Sequence, residues 1–467
     1  MTEEYSIAVY KNLENEFKQL GLHRPMRFER YEIGTELAYD ITTVGSALAA
    51  KVHLAIKKFV GGGFAGQVYQ VEIKDIDAAT GPIDSLEVGG VYAMKILIPP
   101  SGFSLLFRNL LYWVGFQGPF QLQVNPAAAR SGALWQKFLR RGARIKFGTE
   151  SAVADIHATF ADKTLGSCGE LSEWVEGRTW RLEVDDHLDV LKRWIKGKQA
   201  DPQHLGSPEY RAKYEFMQQF VMLLHQMGAH EFARQYEWST WKSQPNCLKR
   251  SGTENSASKG LTAVDFRAGL ALLPFLPMSP GDFKLIATGL LRGSLVQFDR
   301  GDLTKLAQYV DSHKENFAGM ERNLEELTGA EQIYRNSVPD ITHNHIRLLY
   351  SPILWSTMLK SAITGWRVRN IINRPCRDQL QNNTVLTLLF FFLGLIPLAG
   401  RFFRRIWGQP FWRSHYRMIL TSAGYLRRAV RGKFIEKIIN WHRAGRLDDK
   451  QAPIISQQIW RCSYHWP

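Results

Sequence analysis

The chain has 467 residues, of which 45% are hydrophobic and 22% are charged, which describes a globular protein of two or three domains and excludes a disordered chain. The four cysteines stand far apart and form no C-x-x-C pair, which argues against a zinc site or a disulfide framework. The net charge of +15 is concentrated at one end, because residues 365–467 carry 18 Lys and Arg against 4 Asp and Glu. Such a basic block attracts the phosphates of lipid head groups or of nucleic acid.

Residues 1–58 are predicted to form a helical N-terminal extension. Apolar side chains recur near a four-residue spacing from Tyr5 to Phe17, and a second periodic segment covers residues 41–56. The start of the chain is acidic and amphipathic and has no apolar stretch of signal-peptide length, so we expect the N-terminal half to remain in the cytoplasm.

A glycine-rich turn between two predicted strands comes next. Its members fit the spacing G-x-G-x-x-G-x-V: Gly61, Gly63, Gly66 and Val68. Glycines allow backbone N–H groups to approach a polyphosphate without interference from a Cβ atom. A glycine-rich hairpin without a ligand is the alternative interpretation, because short motifs also occur by chance.

The following strand carries Lys95 in the setting Ala93-Met94-Lys95, where a lysine can reach the α and β phosphates as a point charge. This order resembles the nucleotide-binding lobe of the protein-kinase-like superfamily. The resemblance implies an α+β, bilobal fold with a small β-rich lobe over residues 59–178 and a helical lobe over 179–345. It also implies ATP as the cofactor, with Val68 and Ala93 beside the nucleotide.

An apolar stretch at 101–124 is interpreted as a core element or as a contact with a membrane or partner. The predicted helix from Pro126 to Arg144 then stands where kinases have the helix whose glutamate pairs with the strand lysine. This helix contains no acidic residue. The first acid after Lys95 is Glu150, which makes Glu150 the candidate partner.

Two strands are predicted at 152–160 and 168–177, and a charged helical segment follows at 180–200. The end of the second strand reads Glu173-Trp174-Val175-Glu176-Gly177, which resembles the hinge of aminoglycoside phosphotransferases and related kinase-like enzymes. In those relatives backbone groups of the hinge bind adenine, which implies Glu173 and Val175 as nucleotide contacts here. A strand that ends in an ordinary turn is the alternative.

Two later positions resemble the metal ligands of kinases. Asn246 precedes a short apolar stretch, and Asp265-Phe266 closes a strand in place of Asp-Phe-Gly, with Arg267 instead of the glycine. Amide and carboxylate oxygens are the hard ligands that Mg²⁺ prefers. The order of residues around 50–310 further resembles UbiB-type atypical kinases, although the chain has no K-x-G-Q motif.

The catalytic base is not at its expected position, because five residues before Asn246 stands Trp241, and an indole cannot accept a proton. The long connection from Gly228 could bring Glu237, or less favourably Glu231 or His230, into the pocket. An active ATP-dependent phosphotransferase or ATPase and a nucleotide-binding pseudokinase scaffold therefore both remain open, and the acceptor substrate is unknown.

Residues 346–467 are predicted to form a basic helical tail at the cytoplasmic face of an anionic membrane. Within it, residues 385–400 are sixteen uncharged residues, about 24 Å as a helix, against the ~30 Å needed to cross a bilayer. A re-entrant or interfacial hairpin fits the arginines on both sides. A buried hairpin is the alternative, and nucleic acid is the less favoured partner of the charge.

Overall fold

The structure is a computed structural model, and it describes residues 6–62, 66–77, 83, 85–100, 105–106, 109–110, 123–179, 208–237, 246–253, 255–266, 287, 290–291, 301–336, 345–396 and 399–458. The predicted segments at 101–124 and 180–200 lie mostly or wholly outside these residues. The chain divides into two compact units. We call Glu36–Val368 the barrel unit, and Met1–Thr35 together with Arg369–Pro467 the termini unit.

The described strands are, in chain order, β1 Glu36–Thr43, β2 Ala49–Gly62, β3 Gln67–Asp77, β4 Val91–Ile96, β5 Ile156–Asp162, β6 Ser167–Glu173, β7 Gly177–Thr179, β8 Cys247–Arg250 and β9 Leu261–Ala263. The described α-helices are α1 Ile7–Gln19, α2 Pro126–Phe147, α3 Pro208–Gln226, α4 His230–Glu237, α5 Leu303–Ser312, α6 Glu321–Asn336, α7 Pro352–Val368, α8 Arg374–Asn382, α9 Thr384–Leu393, α10 Ala399–Gly408, α11 Pro410–Thr421, α12 Ala423–Arg443 and α13 Gln451–Gln457.

The first six strands form a closed antiparallel barrel in the order β1-β2-β3-β4-β6-β5. Alternation along each strand creates its interior, since successive side chains of a strand point to opposite faces. On β3, Tyr69, Val71 and Ile73 are completely buried, while Gln70 and Glu72 between them are partly exposed. The barrel core is therefore built from every second residue.

The helical prediction for residues 41–56 is wrong, because this segment forms the end of β1 and most of β2. Val52, Leu54 and Ile56 are buried at every second position, with exposed Lys51 and His53 on either side of Val52. A period of two indicates a strand, and the wider spacing of apolar residues concealed it. The boundary predicted at residue 58 consequently falls inside β2.

A second, three-stranded antiparallel sheet has the order β7-β8-β9. Residues 174–176 connect β6 of the barrel directly to β7 of this sheet. The connection lies where the sequence predicts a hinge. It links the barrel to β8 and β9, which the predicted metal ligands Asn246 and Asp265 flank.

The core beside the barrel is organised around α2. Asn125 caps its first turn by accepting a hydrogen bond from the Ala127 amide at 2.9 Å, and Gly148 ends the helix with a left-handed φ of 73°. Trp135 and Phe138 of this helix are buried in one core with Phe220 of α3 and Phe232 of α4. The Trp135 ring of α2 lies 6.1 Å from the Phe232 ring of α4, so α2 joins the helices of this core.

The termini unit joins the two ends of the chain. Val9, Leu13 and Phe17 of α1, which the four-residue spacing identified, share a core with Ile435 and Ile439 of α12. In this core a Cβ atom on Gly432 of α12 would lie 2.7 Å from the end of the Leu22 side chain, so a larger residue there would displace that side chain. The helical prediction for the first residues is thus confirmed for α1.

Two ion pairs are buried in the termini unit. The Arg24 guanidinium donates to Glu436, which also accepts hydrogen bonds from the Arg27 amide at 2.9 Å and from Lys433 at 2.8 Å. The second pair joins Arg443 to Glu32. Charges on the first 35 residues therefore meet charges on the last hundred inside one compact body.

The mixture of strands and helices, with a helical C-terminal region, confirms the α+β class in its general form. Of the helices in the described part of the chain, none is both long enough and apolar enough to span a bilayer.

Candidate functional site

Lys95 and Asp265 are in direct contact, although 170 residues separate them in the chain. The Lys95 ammonium donates to a carboxylate oxygen of Asp265. β4 positions the lysine, and Asp265 follows two residues after the end of β9. Because the lysine side chain is 10% exposed and the aspartate side chain 31% exposed, solvent reaches the pair from the aspartate side.

The strand register defines which residues share the face of Lys95. Val68 on β3 and Glu170 on β6 lie directly opposite Lys95, and residues directly opposite in an antiparallel pair point to the same face. Ala93 shares this face because it stands two residues before Lys95 on β4. The predicted contacts Val68 and Ala93 are thus positioned with the lysine, whereas Met94 is fully buried in the barrel.

Glu170 is a buried acid in the site that the sequence analysis missed. It is 9% exposed and occupies the position on β6 in register with Lys95. The available sequence feature was an acid in the middle of the predicted strand, in Cys168-Gly169-Glu170-Leu171. Its proximity to Lys95 depends on the register of β4 and β6, which sequence patterns alone do not specify.

Asn246 and Asp265 lie at the same end of the β8 and β9 pair. The Asn246 carbonyl accepts a hydrogen bond from the Val264 amide at 2.8 Å, and the next residues along, Cys247 and Ala263, are paired in the sheet. Asn246 is therefore opposite the residue that precedes Asp265. The two predicted metal ligands come from segments that the sheet holds side by side.

The backbone at Asp265 adopts a left-handed conformation, with a φ of 66°. Such a conformation is uncommon for a residue other than glycine, and residues held in it are concentrated at functional sites. The neighbouring residues fix it in place. The Tyr236 hydroxyl of α4 donates to the Val264 carbonyl at 2.6 Å, and Phe266 packs against Phe220 and Tyr236.

These donors fit Mg²⁺ bound together with phosphates. Asp265 and Asn246 offer a carboxylate and an amide, and Mg²⁺ is usually held by one or two carboxylates with phosphate oxygens and water completing its shell. Within the described ranges no group of three or more His, Cys, Asp or Glu side chains is arranged to hold a metal. The adjacent Cys247 thiol stays protonated, since burial raises its pKa to about 12.

The glycine-rich turn is described only in part. Gly61 is in β2 opposite Val68, with open space where a Cβ would be, whereas Gly63 lies outside the described residues. A Cβ on Gly66 would lie 2.5 Å from the Ile96 carbonyl oxygen, so close packing of the chain against β4 is sufficient reason for glycine there. Contact of Gly61, Gly63 and Gly66 with phosphate stays a prediction.

Glu173 is engaged within the protein through its amide and its carboxylate, and its predicted contact with adenine stays a prediction. That amide donates to the Asp155 carbonyl at 2.8 Å, and its carboxylate accepts from Arg250 at 2.6 Å. Burial raises the pKa of Glu173, but hydrogen bonds and the charges of Arg250 and Arg140 outweigh it and hold the pKa below its usual range. Val175 is buried in the connection to β7, and its adenine contact stays a prediction.

Glu150 is not the partner of Lys95, and this prediction is wrong. Its carboxylate lies 2.9 Å from Arg141 and 3.5 Å from Arg140, both on α2. The reason is local, because Glu150 follows α2 after a short turn and meets the basic last turns of that helix. Near its start α2 is tied to α6, with Arg130 donating to Glu326 at 2.6 Å.

The candidate catalytic bases lie only partly within the described residues. Glu237 is the last residue of α4, directly after the Tyr236 that contacts the Val264 carbonyl. The side chains of Glu231 and Glu237, and all of Trp241, lie outside the described residues. The His230 Nδ1 atom is 2.8 Å from the Nδ1 atom of His225 on α3, so the two rings are hydrogen-bonded to each other.

The geometry therefore joins Lys95, Asp265, Asn246 and Glu170 in one place and leaves Glu150 elsewhere. No family model, curated protein or solved structure matches the chain, so any functional assignment depends on this arrangement of residues.

Proposed function

We propose that the barrel unit binds Mg-ATP in a kinase-like manner and that the protein is an ATP-dependent phosphotransferase or ATPase. The barrel would be the small lobe, and the helices around α2 and α3 would form the helical lobe. The observation that carries the proposal is the contact between Lys95 and Asp265, because kinase-like chemistry needs a strand lysine and a metal-binding aspartate around the same phosphates.

Lys95 would bind the phosphates through its ammonium. It lies on the same face as Val68 and Ala93, which offer apolar surface to a base beside it. The glycine turn joins β2 to β3 next to this face, so its amides would complete the phosphate site. A phosphate would reach the lysine from the side of Asp265, whose side chain is 31% exposed.

Asp265 and Asn246 are the residues that would hold Mg²⁺, whose charge neutralises the phosphate oxygens when it is bound. One oxygen of the Asp265 carboxylate accepts from Lys95, and its remaining lone pairs would bind the metal, which would draw the carboxylate away from the lysine. Glu170 would then remain as the acid opposite Lys95 and keep its ammonium oriented. In this proposal Glu170 takes the part that the acid-free helix α2 does not supply.

Transfer of the phosphoryl group requires a base or a residue that positions the acceptor. Glu237 is the candidate, because it ends the helix whose Tyr236 hydrogen-bonds the backbone beside Asp265. The alternative function is a pseudokinase scaffold that binds nucleotide without transfer. The feature that favours it is Trp241, five residues before Asn246.

Isothermal titration of the full chain with Mg-ATP tests the binding step. We expect saturable binding that depends on Mg²⁺ and that weakens at least tenfold in Lys95→Met and Asp265→Asn. Lys58→Met is the matched control, because Lys58 is an exposed lysine on β2 of the same barrel. The proposal fails if the wild type does not bind Mg-ATP, or if Lys95→Met binds as well as Lys58→Met.

Turnover of ATP separates the enzyme from the scaffold. An enzyme should release or transfer phosphate above the rate of Asp265→Asn, and Glu237→Gln should lower kcat by about a hundredfold if Glu237 is the base. Binding of nucleotide without turnover would assign the protein to the pseudokinase class.

A further inference from the structure

The helices α9 and α10 form a hairpin in the termini unit that presents large apolar side chains to solvent. On α9, Val385, Leu389 and Phe392 are 74%, 51% and 48% exposed. Their spacing of four and three residues aligns them along one side of the helix. Ile396 extends this row beyond the helix end, and Phe403 on α10 is also exposed. We call the row from Val385 to Ile396 the apolar stripe.

The hairpin itself is closely packed, so the stripe is not the result of a poorly formed helix. A Cβ on Gly400 would lie 1.6 Å from the Leu393 carbonyl oxygen, so the backbones of the two helices approach closely there. On the inner side, the Phe390 ring lies 4.7 Å from the Arg404 guanidinium and 5.4 Å from the Trp407 ring. α9 thus has a packed inner side and an apolar outer side.

The same unit carries most of the protein's net positive charge. The termini unit contains 22 Lys and Arg against 10 Asp and Glu, whereas the barrel unit contains 37 against 34. Exposed arginines occur on the helices before and after the hairpin, including Arg374, Arg413, Arg417 and Arg427. Exposed apolar side chains on a strongly cationic unit suit an anionic membrane, because its hydrocarbon interior lies beneath negatively charged head groups.

We propose that the α9 and α10 hairpin inserts the apolar stripe into one leaflet of an anionic bilayer, while exposed arginines on the other helices of the unit bind lipid phosphates. α9 has ten residues and is about 15 Å long, half of the ~30 Å hydrocarbon core, so its length suits insertion into a single leaflet. A nucleic acid would use the charge but not the aliphatic part of the stripe. The inference is independent of the nucleotide site.

Flotation of the full chain with vesicles tests this surface. Vesicles of phosphatidylcholine alone are compared with vesicles that contain one third phosphatidylglycerol. We expect binding to the anionic vesicles that falls at least tenfold in the double variant Leu389→Gln and Phe392→Gln. The control is Ile333→Gln, which removes an exposed aliphatic side chain from α6 of the barrel unit and should leave binding unchanged.

A second pair of substitutions tests the charge. Arg413→Ser with Arg417→Ser should weaken binding to anionic vesicles several-fold and reduce its dependence on salt, since fewer lipid phosphates are then contacted. All of these positions are exposed, and thermal melting identifies any variant that has lost its fold.

The proposal is overturned if the wild type binds neither vesicle, or if the Leu389 and Phe392 double variant binds as tightly as Ile333→Gln. It is also overturned if that double variant changes only the oligomeric state, which would show that the stripe packs against a second copy. Displacement of the vesicles by a short oligonucleotide, with equal affinity for the double variant and the wild type, would assign the basic surface to nucleic acid.

Discussion

The two units use charged side chains in different ways. In the termini unit, the Arg24 side chain is completely buried, and Glu436 accepts its hydrogen bond and two more. In the barrel unit, Lys95 and Asp265 form a pair that is open to solvent on one side, with the aspartate held in a left-handed conformation. Loss of one partner from an enclosed pair leaves a buried charge uncompensated, whereas a partly open pair can exchange its partner for a ligand.

This difference predicts a structural role for the first pair and a binding role for the second. An enclosed ion pair cannot exchange partners without leaving a buried charge uncompensated, which costs several kcal/mol of stability, on the order of 3 to 5. The pair in the barrel unit has less to lose, because solvent or phosphate can replace the carboxylate beside Lys95. We therefore expect substitutions in the first pair to affect folding and substitutions around the second to affect binding.

The largest effect is expected from Glu436→Gln. This change leaves the buried Arg24 guanidinium without its counter-charge, so we expect the termini unit to lose about 3 kcal/mol of its free energy of unfolding. Chemical denaturation followed by circular dichroism measures the loss. Glu14→Gln is the control, since its partner Lys18 is mostly exposed, and it should cost less than about 0.5 kcal/mol. Equal effects of the two changes would remove the distinction between the units.

The next effect concerns His157, a side chain that the barrel unit keeps uncharged. Burial lowers the pKa of His157 to about 4, from 6.5 in the unfolded chain. In this range the unfolded state binds the proton more readily, so stability is complete above pH 6.5 and decreases as the pH falls towards 4. Between pH 7 and pH 5 we expect a loss on the order of 2 kcal/mol.

Urea denaturation at several pH values measures this dependence. His157→Gln should flatten the curve between pH 6.5 and pH 4, because the residue that takes up the proton is gone. His53→Gln serves as the control, because His53 is an exposed residue on β2 of the same barrel and should leave the slope unchanged. An unaltered slope in His157→Gln would contradict the assignment.

The smallest effect is expected from Glu170→Gln. If Glu170 orients Lys95 once Asp265 binds metal, its loss should weaken Mg-ATP binding or lower kcat about tenfold, about 1.4 kcal/mol. Glu170→Asp should restore part of the effect, and in a Lys95→Met background Glu170→Gln should have no further effect. Asp40→Asn, an exposed acid on β1, is the control. A loss that persists in the Lys95→Met background would indicate a purely structural role.

Sequence reasoning was effective where the decisive pattern is local. The strands that carry Val68, Lys95 and Glu173 follow from short alternating segments, and α1 follows from apolar residues at a four-residue spacing. The order of the motifs predicts that Lys95 and Asp265 lie at one site, because chemistry on a phosphate requires both groups there, but it does not predict their direct contact.

Sequence reasoning failed where the decisive partner is remote. Sequence order favours Glu150 as the partner of Lys95, because it is the next acid in the chain. Glu170 instead lies opposite Lys95, and this depends on a strand register that no sequence pattern indicates. In the same way, nothing in the first 35 residues indicates that Arg24 meets Glu436, 412 positions later. Long-range pairing depends on the complete fold, so it becomes visible only in three dimensions.

The packing of α1 against α12 has a consequence for synthesis of the protein. Helix α1 is made before the barrel strands, but its apolar side must wait for Ile435 and Ile439 of α12, which are made after them. The barrel strands, in contrast, are complete once β6 has emerged, so the barrel can assemble while the rest is still being made. Docking of α1 against α12 would then be a late folding step. Until that step the apolar side of α1 would be exposed and would need protection from aggregation.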